Sequence, residues 1–190
     1  MRDAPVLLVA GLGRCGTTMV MQMLHAAGTP VAGTLPSFED VPLTPKHVDH
    51  EWLAGQGGRA VKWIDPTITR IRHDNARAIW LSRTPLEQAK SQAKLLGLRL
   101  SRADLRPLAA RVKRDNWRAR RIVDRLCGCY GVLHLTFEMI LRHPDHCAAR
   151  IASFCDSSDI DFGSAKAAAD VVLRRGPECA PDLSIEVGKL

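Results

Sequence analysis

The chain has 190 residues, 46% hydrophobic and 25% charged, an ordinary globular composition that excludes disorder, collagen and coiled coil and fits one domain over 1–190. Lys and Arg number 27 against 20 Asp and Glu, a formal charge of +7, so anionic partners are favoured: a nucleotide, a sulfated or phosphorylated small molecule, or nucleic acid. No apolar run approaches the ~20 residues of a membrane span.

In chain order, residues 6–10 form a continuous apolar run, the mark of a strand buried on both faces. A glycine-bearing turn, Gly11 to Gly16, follows, and Thr17-Thr18 opens a helix that Gly28 closes. Residues 28–58 are punctuated by Gly, Pro and Thr and crowded with Glu39, Asp40, His47, Asp49, His50 and Glu51. They read as a long crossing loop, with a short helix capped at Thr44-Pro45, that serves as a lid or acceptor-binding element. Strands are expected at 59–64 and 78–82. The second feeds a helix to Leu96 with Thr84 as N-cap, Pro85 at the first position and Glu87 completing a capping box. An amphipathic helix over 104–126, a strand over 132–136, helices over 144–155 and 164–174, and an irregular tail at 177–190 complete the reading. Strands alternating with helices imply an α/β fold with a central parallel sheet flanked by helices.

Gly11-Leu12-Gly13-Arg14-Cys15-Gly16-Thr17-Thr18 has the frame of a P-loop, G-x-x-x-x-G, which makes the expected architecture three-layer and P-loop-like. Thr18 fills the Ser/Thr position, but Thr17 stands where the lysine belongs. Backbone N–H groups at a helix N-terminus suffice to cradle a phosphate, whereas γ-phosphoryl transfer also needs the lysine cation. Here the cation moves to Arg14, so the loop is built to hold a phosphate rather than to hydrolyse a triphosphate. A plain strand-to-helix turn is the bland alternative. Cys15 occupies a helix N-terminus beside Arg14, a setting that lowers thiol pKa, although packing alone accounts for it. Arg83 follows a buried strand, at the edge where open parallel sheets bind ligands; a surface ion pair is the competing reading.

The six cysteines, at 15, 127, 129, 147, 155 and 179, show no C-x-x-C pair or zinc-ligand rhythm, and His143, His146 and Cys147 lack a second ligand pair. No metal is expected. The opening run is too short for a secretory signal, so the expectation is a cytoplasmic protein with reduced thiols.

Gly13-Arg14-Cys15-Gly16-Thr17-Thr18 resembles the 5′-phosphosulfate loop, Pro-Lys/Arg-Ser-Gly-Thr-Thr, of sulfotransferases that use 3′-phosphoadenosine 5′-phosphosulfate (PAPS). Arg83-Thr84-Pro85 followed by Ser91 is similar to the family's 3′-phosphate signature, and Leu135-Thr136-Phe137-Glu138 with Leu141 and His143-Pro144 to a weaker third motif. The resemblance covers residues 6 to about 155. It implies PAPS as donor, adenosine 3′,5′-bisphosphate (PAP) as product and no metal. The donor residues would be Gly13, Arg14, Cys15, Gly16, Thr17, Thr18, Arg83 and Ser91, and Lys62 would stabilise the transferring sulfuryl group together with Arg14. Many family members carry Lys-x-His-x-Pro; here Lys62-Trp63-Ile64-Asp65-Pro66 keeps lysine and proline but not the basic histidine. The base is then Glu39, Asp65 or His47, in that order, or an amine acceptor needs none. Lys62 could instead simply snorkel from its strand. Met19 replaces a common adenine-stacking aromatic, and Arg174-Arg175-Gly176 only faintly echoes a C-terminal family motif.

Eight residues between 104 and 126 are Lys or Arg, either a solvated face or a surface for an anionic acceptor such as a glycan or peptide. No stacking platform is read among these arginines, so nucleic acid is not expected. Two further functions stay open: a P-loop kinase using Thr18 and Asp65, and a non-catalytic anion-binding module, which the absent histidine allows.

Overall fold

The computed structural model describes residues 4–128 and 131–173; Cys129, Cys179, Arg174-Arg175-Gly176 and the tail at 177–190 lie outside the described residues. In chain order the elements are β1 (Val6–Gly11), α1 (Thr17–Ala26), β2 (Leu43–Thr44), β3 (His47–Val48), α2 (His50–Ala54), β4 (Ala60–Ile64) and β5 (Ala76–Ser82). Then come α3 (Pro85–Leu95), α4 (Arg102–Cys127), β6 (Val132–Thr136), α5 (Phe137–Arg142), α6 (Pro144–Asp156) and α7 (Ala165–Leu173).

β4, β1, β5 and β6 form one parallel sheet in that order. Val6 to Ala10 are all fully buried because β1 is central and covered on both faces. Its side chains alternate between two cores: Leu7 and Val9 pack with α1, α6 and α7, while Val6, Leu8 and Ala10 pack with Ala119 and Val123 of α4. The result is the three-layer α/β arrangement with a flanked parallel sheet. The chain leaves β1 towards β4 on one side and β5 on the other, so the carboxyl end of β1 lies at a switch point. Open parallel sheets bind ligands there.

Several local expectations change. Thr44-Pro45 caps no helix: Thr44 Oγ1 accepts from the His47 N–H (3.1 Å), closing an antiparallel β2–β3 hairpin, and α2 begins later, capped by Asp49. Thr84 makes no side-chain cap on α3. Its N–H donates instead to Glu138 Oε1 (2.9 Å), and Glu87 pairs with Lys90 rather than turning back to the cap. The capping box occurs at α4, between Ser101 and Asp104. Among the described residues no helix is long and apolar enough to cross a membrane.

Where β1 runs into the loop there is no room for a side chain. A Cβ on Gly11 would lie 2.8 Å from the Leu81 backbone oxygen and 2.3 Å from Cys15 Sγ. Gly11→Ala should therefore lower unfolding free energy by about 1–3 kcal/mol in chemical denaturation; an unchanged midpoint would contradict this packing.

Candidate active site

The loop between β1 and α1 depends on two left-handed residues, Arg14 (φ 72°) and Gly16 (φ 102°). Position 16 excludes a side chain twice over, because a Cβ there would also approach Phe137 Cδ2 to 2.7 Å. The Gly13 N–H donates to Asp65 Oδ1 (3.0 Å), and its carbonyl accepts from Gln88 Nε2 (2.9 Å) and Gln92 Nε2 (3.3 Å). Beyond the loop, the N–H groups of the first turn of α1 are helix-end donors of the kind that bind anions.

Arg14 Nε donates to Ser91 Oγ of α3 (3.1 Å), and Arg83 Nη1 lies 3.5 Å from the Arg14 carbonyl oxygen. Among the described residues Arg83 makes no salt bridge. Its guanidinium stacks 4.4 Å from the Phe137 ring centroid, and its Nε is buried without a hydrogen-bond partner among the described residues. The three positions expected to meet a donor's two phosphates thus share one sheet edge. Burial alone would raise Glu138, but the N–H groups of Thr84 and Glu138, the Thr84 hydroxyl and Arg83 hold it below the usual carboxylate range.

Lys62 lies on β4 opposite Val9 and is only 3% exposed. It does not snorkel to solvent: Nζ donates to Thr18 Oγ1 (2.7 Å), Ser37 O (2.9 Å) and Glu39 Oε1 (2.5 Å). Phe38, buried and left-handed (φ 56°), anchors the crossing segment between those two partners. One ammonium therefore joins the glycine loop, β4 and the crossing segment. A lysine this deep requires such partners, since an unpaired buried charge is costly.

Among the other candidate bases, His47 is exposed on the β2–β3 hairpin. Asp65, left-handed at φ 51°, touches the loop through Gly13. Burial pushes its pKa up, the Gly13 N–H opposes this, and nearby Asp115 adds to the rise.

For Cys15 the packing reading stands: it is fully buried, and burial pushes the thiol up to about 12, outweighing the Thr17 N–H at the helix start. One expectation is corrected outright. The basic α4 does carry an aromatic platform, because Trp117 is 60% exposed with Arg121 stacked 4.7 Å from its ring centroid. Met19 is buried in the core with Cys15. His143 and His146 are exposed while Cys147 is buried, and among the described residues no group of three His, Cys, Asp or Glu could hold a metal ion.

Sequence reasoning missed Gln88, Gln92 and Phe137. The two glutamines were findable as a polar face with Ser91 at i, i+3 and i+4 on a helix leaving the ligand edge. Phe137 stands within the third resemblance motif, which gave no sign of its contact with Arg83.

No protein-family model and no curated protein sequence matches this chain. Solved structures do. Sulfotransferase STF9 from Mycobacterium avium superposes with TM-score 0.52 at 15% identity, over 90% of this chain and 67% of that one. A retinol dehydratase in complex with retinol and PAP gives 0.55 at 16% identity, over 94% and 66%. A sulfotransferase from Alicyclobacillus acidocaldarius gives 0.55 at 13% identity, over 98% and 90%. The chain thus has the sulfotransferase fold, and spans about two thirds of the length of the first two neighbours.

Asp65→Asn should keep an acceptor for the Gly13 N–H while removing a carboxylate whose charged form burial disfavours. Because the folded pKa is raised, the native chain binds more protons than the unfolded one, and stability falls as pH rises from the ordinary aspartate value through the raised one. The variant should accordingly be more stable than wild type at pH 7, with the gain vanishing below about pH 4. Denaturation at both pH values checks this; a neutral-pH loss would contradict the assignment.

Proposed function

We propose that the protein is a sulfotransferase that moves a sulfuryl group from PAPS to a hydroxyl or amine acceptor, releasing PAP. The observation that carries this reading is the convergence of Arg14, Arg83 and Ser91 at the sheet edge that also receives Lys62. A donor bearing phosphates at both ends of its ribose needs two anion pockets on one edge. The sulfotransferase fold, and the PAP in the retinol dehydratase structure, support the same assignment.

In this reading Gly13, Arg14, Cys15, Gly16, Thr17 and Thr18 form the 5′-side cradle, through backbone N–H groups, the guanidinium and the threonine hydroxyls. Arg83 and Ser91 take the 3′-phosphate. The acceptor oxygen or nitrogen attacks sulfur in line, the bond from sulfur to the bridging phosphate oxygen breaks, and Lys62 stabilises the charge developing on that oxygen. Glu39 is the first candidate for the acceptor's proton. Its Oε1 is engaged by Lys62, which leaves Oε2 for the transfer. Asp65 is the second candidate base. The crossing segment at 28–58 and the basic α4 shape the acceptor site, and a small molecule or an anionic glycan or peptide fits their charge. Among the described residues Cys15, Cys127, Cys147 and Cys155 are buried free thiols, which fits a reducing cytoplasm. A kinase is the second reading, favoured only by Asp65 touching the loop.

Thermal shift separates the readings. PAP should stabilise the protein by about 2.7 kcal/mol at one hundred times its dissociation constant, and well beyond AMP or ATP–Mg²⁺. A response to ATP–Mg²⁺ alone would move the assignment to a kinase, and no response at all to a binding module. In sulfation assays over phenol, alcohol and amine acceptors, Glu39→Gln should cut turnover by about 10²–10⁴-fold with PAP affinity nearly unchanged. Turnover within a fewfold of wild type would remove Glu39 as the base.

A further inference from the structure

One face of α3 reaches both halves of the proposed donor site. Gln88, Ser91 and Gln92 stand at i, i+3 and i+4, which places them together on the helix surface. Ser91 Oγ accepts from Arg14, while Gln88 and Gln92 both donate to the carbonyl of Gly13. Gln88 is fully buried, at a depth where an unpartnered polar side chain is costly. A buried amide is tolerated when its polar atoms are partnered, and both ends of this one are. Nε2 holds Gly13, and Oε1 accepts from Asn116 Nδ2 of α4 (3.5 Å).

Gly13 is clamped from the other side as well, its N–H donating to Asp65. Both backbone polar groups of this residue are therefore fixed by side chains from different elements. In a trans peptide the C=O and the following N–H point in opposite directions, so turning the Gly13 carbonyl into α3 also fixes which way the Arg14 N–H faces. The next residue, Arg14, is left-handed at φ 72°, a strained conformation for a non-glycine residue that its surroundings must hold.

We propose that Gln88 is a positioning residue that ties the 5′-side loop to the helix carrying the 3′-side Ser91, so that α3 sets the spacing between the two anion pockets. The inference rests on the donor reading above. Without Gln88 the Gly13 carbonyl keeps only the longer bond from Gln92 (3.3 Å), and the ligand must order that side of the loop at the expense of 5′-phosphate affinity. The pocket of Arg83 and Ser91 stays in place.

Calorimetric titration of wild type and Gln88→Leu with PAP, adenosine 5′-monophosphate and adenosine 3′-monophosphate tests this. One lost hydrogen bond corresponds to about fivefold weaker binding of the 5′-monophosphate and of PAP, with the 3′-monophosphate unchanged. Asn116→Ala, at a half-buried position, removes the support behind Gln88 and should give the same pattern at about twofold; it serves if Gln88→Leu fails to fold. A purely packing role would lower the melting temperature and leave the ratio of the two monophosphate affinities untouched in both variants, and that result overturns the inference alone. A wild-type protein that binds none of the three nucleotides overturns the donor reading, and the inference with it.

Discussion

Arg14 and Arg83, two cations that would repel one another in water, are brought to a single sheet edge, Arg83 Nη1 lying 3.5 Å from the Arg14 carbonyl. Glu138, Ser91, the Phe137 ring and that carbonyl offset part of the unfavourable charge, yet Arg83 Nε stays buried without a hydrogen-bond partner among the described residues. A buried donor left in this way costs free energy that an anion can return. The two guanidinium groups are held in place by these contacts, and donors fixed in advance bind an anion with little reorganisation.

The sheet enforces this arrangement. β1, β4 and β5 run parallel, so their carboxyl ends deliver the glycine loop, Lys62 with Asp65, and Arg83 to neighbouring points. Lys62 then couples that edge to the segment between α1 and β4. Because its ammonium is buried, the contacts to Thr18, Ser37 and Glu39 are obligatory rather than decorative, and they bring an acidic side chain of that segment beside the loop.

The parallel sheet was legible because its strands are buried on both faces and read as unbroken apolar runs such as Val6 to Ala10, and the loop was legible because glycine and arginine spacing reflects its backbone directly. The β2–β3 hairpin was not, since two-residue strands carry no periodicity, and Thr44-Pro45 offers the same local signal to a turn as to a helix. At Thr84 the local capping pattern lost to a tertiary partner, Glu138, that lies 54 residues away. For Cys15 the helix N-terminus was visible in sequence but the complete burial that overrides it was not. The spacing of Gln88, Ser91 and Gln92 marks a shared polar face, but the burial of Gln88 comes from how α3 packs on the loop, which helical spacing alone does not encode.

A crystal structure of the protein with PAP bound tests the central claim most directly. The 5′-phosphate should sit on the N–H groups following Arg14, with the 3′-phosphate between Arg83 and Ser91 and Lys62 facing the 5′ end. A bisphosphate found elsewhere, along the arginines of α4 for example, with the Arg14–Ser91 contact undisturbed, would contradict the account.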